Sequence, residues 1–297
     1  MILQDLKSKN LIHPPKFLVG NTQYLTRMGS EAYGVSIDNS DIDMYGFTIP
    51  PKELVFPHLD GEILGFGKHK KRFDQFQAHH IEFKEKQYDF SIYSIIKYFQ
   101  LCMENNPNMI DSLFTPFNCV TYITSIGQIV REDRKLFLHK GCWAKFKGYS
   151  YSELHKMRSK TRESSTRKES IAKYGYDLKG AYNIVRLLSE VEMILEEGDL
   201  DLQRNREQLK SIRRGEWTEK DVVDYFSRKE IELETLYQNS SLPYSPDEHA
   251  IKQLLLNCLE QHYGSIDMIV VADKYESAIK EIGEICSKVT KKGVRTS

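Results

Sequence analysis

LTRMGSEAYGVSIDNSDIDMYGF, residues 25–47, runs from a short apolar stretch through Gly29-Ser30 to the pair Asp41-Ile42-Asp43, then back into strand-forming residues. On a strand the side chains alternate, so Asp41 and Asp43 share a face. Two carboxylates a few ångströms apart repel each other, and a positive charge between them removes that cost. Magnesium suits the position, because it takes one or two carboxylates and fills its remaining sites with water and phosphate oxygens. Upstream, a glycine at 29 lets the backbone approach a phosphate closely. Ser30 adds a hydroxyl, and a helix opening there would add its first N–H groups. The competing reading is a solvated loop in which SIDNSDID makes Asx turns.

A second stretch bears on that choice. KQYDFSIYS, residues 86–94, reads as a strand carrying Asp89 near a following helix, and pairing beside the first strand would bring Asp89 to Asp41 and Asp43. Two ions about 4 Å apart, the arrangement used in phosphoryl and nucleotidyl transfer, need such a third acid near the attacking hydroxyl. Alone, Asp89 also reads as a helix N-cap. Strand, Gly-Ser, ten residues, Asp-Ile-Asp and a later strand with an acid form a combination far rarer than its parts.

Composition sets the frame without deciding function. The 297 residues carry 42 Lys and Arg against 42 Asp and Glu, so net charge names no partner and any electrostatic argument rests on local clusters. The five cysteines have no CxxC spacing, fitting neither a disulfide framework nor zinc, and a reducing, cytoplasmic setting is expected. The longest apolar runs, such as MIVVA at 268–272, are too short to cross a bilayer, so no membrane partner is expected.

KFLVG, QYLTRM, DIDMYGFTIP, ELVFP and KQYDFSIY read as short strands between turns. From about residue 91 helical spacing takes over. SIYSIIKYFQLCMENN is closed by Pro107, and NPNMIDSLF opens a second helix with Asn108 as N-cap and Asp111 in a capping-box position. LKGAYNIVRLLSEVEMILEE, 178–197, places Leu178, Ala181, Tyr182, Val185, Leu188 and Leu195 on one stripe and ends at Gly198. Further helices are expected near 218–238, 246–262 and 273–289. The fold class expected is α+β: a mixed sheet with flanking helices over 1–115, followed by a mostly helical domain over 116–297.

Lys179, Asn183 and Arg186 follow at i, i+4 and i+7 beside the apolar stripe, a face suited to a triphosphate if it meets the acids and a solvated face otherwise. WAKFKGYSY, 143–151, interleaves aromatic residues with lysines, and HKMRSKTRESSTRKESIAK carries seven Lys or Arg against two Glu. Lys145, Lys147, Tyr149, Arg158 and Lys160 are therefore candidates to hold a single-stranded nucleic acid, by stacking and phosphate contact. The same residues would serve equally as core aromatics and solvated charge. KHKKR at 68–72 reads as a basic loop, and His79-His80 as part of a partly exposed strand rather than a metal site. GEILGFGK, 61–68, departs from a phosphate loop in its spacing and in His69.

The spacing from Gly29-Ser30 to Asp41-Ile42-Asp43 resembles the signature of the DNA polymerase β-like nucleotidyltransferase superfamily. YDFSIYSIIKYFQLCMENNPNMIDSLF (88–114), KFKGYSYSEL (145–154), YDLKGAYNIVRLL (176–188) and IRRGEW (212–217) are similar to one branch, the predicted nucleotidyltransferases of the RNA repair pathway DNA polymerase β family. Gly180 stands where that branch often carries a His after the Lys, so no role is carried over for such a His. The resemblance implies a mixed sheet flanked by helices, two Mg²⁺ ions with Mn²⁺ as a substitute, and transfer of a nucleoside monophosphate from a nucleoside triphosphate. The activity expected is template-independent transfer to an acceptor hydroxyl, with an RNA 3′ end as first choice. In this expectation Asp41, Asp43 and Asp89 hold the metals. Gly29, Ser30, Lys179, Asn183 and Arg186 hold the nucleotide. A protein side chain or a small molecule as acceptor, or an idle protein that binds nucleotide or RNA, are the alternatives.

Overall fold

The computed structural model describes residues 1–36, 41–69, 71–159, 165–265 and 282. The chain begins with α1 (Ile2–Ser8) and a single turn, α2 (Leu18–Asn21), that leads into β1 (Thr22–Arg27). β2 (Ile42–Thr48) returns antiparallel to β1, and α3 (Lys52–Val55) follows it. β3 (Gln75–Phe83) and β4 (Lys86–Ser94) then form an antiparallel pair whose second strand lies parallel to β2. After α4 (Ile95–Met103) and α5 (Pro107–Phe114), β5 (Val120–Ile123) closes the far edge against β1. The sheet order is β3-β4-β2-β1-β5, a mixed sheet flanked by helices as expected.

The helical part comprises α6 (Ser125–Glu132), α7 (Cys142–Ser159), α8 (Ser165–Tyr174), α9 (Leu178–Glu197), α10 (Arg206–Arg213), α11 (Glu219–Asn239) and α12 (Glu248–Tyr263). α9 is its axis. The expected stripe from Leu178 to Leu195 is buried, but so are Ile184, Leu187, Val191 and Ile194 on its other sides, because α7, α8, α10 and α11 all pack around it. It ends where the sequence predicts, with Gly198 left-handed at φ +60°. No described helix is long and apolar enough to cross a membrane.

Contacts group residues 1–49 with 74–255 in one compact unit, and Pro50–Phe73 with the chain from Leu256 onward in a second. β5 thus lies beyond residue 115 yet belongs to the same sheet as β1 and β2. Within the second unit, Tyr263 sets its ring edge-on to Phe56, with centroids 6.2 Å apart, and donates its hydroxyl to the Pro50 carbonyl.

Several local expectations are corrected. KFLVG and ELVFP contain helical turns, α2 and α3, rather than strands, since an apolar run of four or five residues has no period long enough to tell the two apart. The cap of α5 is Asn106 with Pro107 in the first turn, not Asn108; proline lacks only an N–H that this position leaves unpaired anyway. Asp111 is therefore no capping residue and is fully buried. WAKFKGYSY is the start of α7, with Trp143 and Phe146 in the core. The expected helix at 273–289 lies outside the described residues.

The face of the sheet below the acids is filled by aromatic rings. Phe47 is fully buried between Tyr24, 5.9 Å away by centroids, and Tyr98, 4.9 Å away. Phe47→Ala is expected to cost about 3–5 kcal/mol, read from urea unfolding, since neighbouring rings anchored in two elements cannot collapse into the cavity.

Candidate active site

Asp43 and Asp89 are direct partners in the parallel pairing of β2 with β4, so adjacent strands present both carboxylates on one face. Asp41 immediately precedes β2, two residues before Asp43, and is exposed. Burial raises the Asp43 pKa; Lys179 opposes the rise, Asp89 and then Asp41 add repulsion, and His79 opposes it again. The charges around Asp43 therefore include the other two expected acids, Asp89 and Asp41, and one expected cation, Lys179.

The Gly-Ser turn lies against this strand. The Met28 N–H donates to the Asp43 carbonyl at 2.7 Å, extending the β1–β2 ladder by one bond. Gly29 is left-handed at φ +63°, and a Cβ built on it would run into Asp43 Oδ2. Any other residue there would be strained and would displace the carboxylate. The chain then makes one turn rather than the expected helix: Tyr33 N–H donates to Gly29 O at 3.3 Å, and Val35 N–H to Ser30 O at 2.9 Å. Among the described residues no helix N-terminus follows Ser30, so its hydroxyl and the turn's N–H groups are what the segment offers a phosphate.

Asp89 has partners that were not expected. Oδ1 accepts from the His80 N–H at 2.6 Å, and His79 Nδ1 lies 3.8 Å away. A bulge in β3 does this: its pairing with β4 shifts between Ala78 and Ile81, and His80 adopts φ +56°. The strand reading of His79-His80 holds, and what it missed is their place beside an acid. The signal is in the sequence, because Phe76, Ala78, Ile81 and Phe83 alternate with a three-residue step in the middle.

Among the described residues no three His, Cys, Asp or Glu side chains close on one point tightly enough to hold an ion. Asp43 and Asp89 nevertheless fit a hard divalent cation: both are carboxylates on one face, the missing Cβ of Gly29 leaves room at Asp43 Oδ2, and magnesium completes its shell with water and phosphate.

The face of α9 divides. Lys179 in its first turn is exposed and acts electrostatically on Asp43, and Asn183 one turn on is half-buried; neither side chain hydrogen bonds to a described residue. Arg186 is not available to a triphosphate. It is buried, donating from Nη1 to Asp111 Oδ2 at 2.5 Å, to Tyr33 Oη at 2.9 Å and to Glu190 Oε1 at 2.9 Å, with its guanidinium 4.5 Å from the centre of the Tyr33 ring. The spacing placed it on the correct face, but its side chain turns inward to meet Asp111 and Glu190.

The expected nucleic-acid residues do not form one surface. On α7, Lys145 pairs with Glu104 at 3.6 Å, and Lys147 pairs with Glu230 at 2.9 Å while lying over the Trp143 ring. Tyr149 and Arg158 are exposed at separate positions along the helix. Lys160 lies outside the described residues. Helical geometry, absent from the linear reading, separates what the sequence lists together.

A mixed five-stranded sheet with flanking helices is consistent with the polymerase-β-like nucleotidyltransferase fold. A family model described as the RNA repair pathway DNA polymerase beta family matches residues 4–255, and the chain belongs to that family. No curated protein matches it. Among solved structures, a nucleotidyltransferase-like protein from Exiguobacterium sibiricum 255-15 is similar at 9% identity, covering 87% of this chain and 78% of its own, with a TM-score of 0.29.

Two carboxyls share Arg186, and burial drives both upward. The Glu190 pKa stands well above the ordinary glutamate value, through burial opposed by Arg186 and reinforced by Asp111. The Asp111 pKa is also raised, by burial, with Arg186 and the Tyr33 hydroxyl opposing. A raised carboxyl contributes stability that is complete below its unfolded pKa and lost as pH rises through the folded value. Glu190→Gln is expected to remove that loss, so its melting temperature should exceed that of the wild type at pH 8 and show no such gain at pH 4.

Proposed function

We propose that the chain is a Mg²⁺-dependent, template-independent nucleotidyltransferase that moves a nucleoside monophosphate from a nucleoside triphosphate to an acceptor hydroxyl, most simply an RNA 3′ end. The observation that carries the reading is the register of β2 and β4, which pairs Asp43 with Asp89 beneath the Gly29 turn. In this reading Asp41 and Asp43 hold two ions and Asp89 completes the second site, while the catalytic part centres on 1–115 and is completed by β5 and α9 from the residues that follow. Bound magnesium would supply charge neutralisation for the triphosphate and a lowered pKa for the acceptor hydroxyl.

The chain's own groups orient the reactants. Gly29 and Ser30 receive the triphosphate through backbone N–H groups and a hydroxyl, Lys179 adds a positive charge on the same side as Asp43, and Asn183 offers an amide one turn further along. The acceptor oxygen bonds the α-phosphorus, the bond to the β-phosphate oxygen breaks, pyrophosphate leaves with the electron pair, and the hydroxyl proton passes to solvent. His79, 3.8 Å from Asp89, stands near the acceptor side.

RNA as acceptor is supported by the family description, and the reading places the protein in the cytoplasm with RNA and nucleoside triphosphate as partners. The ion pairs of Lys145 and Lys147 with Glu104 and Glu230 favour a second reading, in which the acceptor is a protein side chain or small molecule that needs no basic track.

Incubation with each α-labelled nucleoside triphosphate, Mg²⁺ and RNA, followed by separation of RNA from protein, tests the proposal. Label in a discrete RNA band is expected, falling more than about a hundredfold in Asp41→Asn and Asp43→Asn, since even residues that only orient metal ligands cost 10–100-fold. Label on protein alone would replace the RNA reading with protein modification. In the absence of metal, Asp43→Asn is expected to melt above the wild type, because it removes a half-buried carboxylate repelled by Asp89 and Asp41.

A further inference from the structure

The turn that follows Gly29 is fastened from three directions. Tyr33, four residues on, is buried and donates its hydroxyl to Asp111 Oδ2 at 2.6 Å, and Arg186 donates to that hydroxyl at 2.9 Å. Gln203 donates to the Ala32 carbonyl at 3.2 Å, and Arg213 to the Val35 carbonyl at 2.5 Å. The backbone bond from Tyr33 N–H to Gly29 O then ties the fastened end of the turn to the glycine that faces Asp43. Of these anchors, only Tyr33 reaches the fully buried carboxylate of α5 and the guanidinium of α9 together.

We propose that Tyr33 is a positioning residue for nucleotide binding, its hydroxyl latching the Gly29–Ser30 turn to the Asp111–Arg186 pair so that the turn is already shaped to receive a triphosphate. The proposal rests on the nucleotidyltransferase reading. A loop that must be ordered by its ligand loses affinity to that ordering, and a loop ordered beforehand does not. The latch suits this task because its hydrogen bonds are charge-assisted and buried, where water does not compete.

The neighbouring Tyr182 supplies the control. Its ring meets Tyr33 edge-on, with centroids 6.2 Å apart, it borders the same network, and its buried hydroxyl has no hydrogen-bond partner among the described residues. Tyr33→Phe and Tyr182→Phe thus remove one oxygen each from adjacent rings, one from the latch and one beside it. Neither change orphans the Asp111–Arg186 pair, so both proteins are expected to fold, checked by melting.

Titration calorimetry of the full chain with a non-hydrolysable nucleoside triphosphate and Mg²⁺ reads the effect without turnover. Tyr33→Phe is expected to weaken binding about tenfold, as for loss of a hydrogen bond to a charged group, while Tyr182→Phe binds as the wild type does. Hydrogen exchange of the amides from Ser30 to Val35 is expected to quicken in Tyr33→Phe alone. Equal affinity of Tyr33→Phe and wild type would overturn the latch and leave the nucleotidyltransferase reading standing. Equal weakening by both variants would also overturn it, as a packing effect. A wild type that binds none of the four triphosphates would overturn the underlying reading and the latch with it.

Discussion

The buried contact between Arg186 and Asp111 is the constraint on which the site depends. It joins α9 to α5 across 75 residues of sequence, and through Tyr33 it reaches the glycine turn, 153 residues away from Arg186. Burying an ion pair costs desolvation that its own attraction barely offsets, but leaving one partner behind uncompensated costs about 3–5 kcal/mol. Such a pair therefore adds little net stability and strongly penalises any arrangement that separates its members. Here the arrangement it enforces is the one that sets Tyr33, and with it Gly29, over the strand of Asp43.

The division of labour between sheet and helices follows. Strand pairing alone aligns Asp43 with Asp89, because parallel partners in register point their side chains the same way. Beyond the bond from Met28 N–H to Asp43, the turn is fastened not by strands but by side chains from α5, α9, α10 and the segment before α10. The helical part thereby does more than cover the sheet. It brings Lys179 to the acids and supplies most of the second layer that holds the turn.

Much of this was legible in the sequence for reasons that can be traced to residues. Asp41, Asp43 and Asp89 stand out in the sequence because acids interrupt strand patterns where hydrophobic residues would be cheaper, and α9 because its period runs for twenty residues to a glycine cap. Lys179 followed from that helix. Asp111 reads as a capping residue because a carboxyl near a helix start commonly is one, and nothing local distinguishes it from a carboxyl that meets an arginine 75 residues on. The bulge that delivers His80 to Asp89 left a trace in a broken alternation, whereas Tyr33 left none.

By itself the sequence determined the elements with long periods, the acids on their strands and the glycine that must precede them, since these depend on backbone geometry within a few residues. The tertiary structure alone decided which charges stay exposed beside the acids and which are buried. Lys179 and Arg186 lie seven residues apart on one helical face, yet Lys179 is exposed near Asp43 and Arg186 is buried against Asp111 and Glu190. What separates them is the desolvation of a guanidinium, made tolerable only by carboxyls that folding brings to it, and no local pattern encodes that meeting.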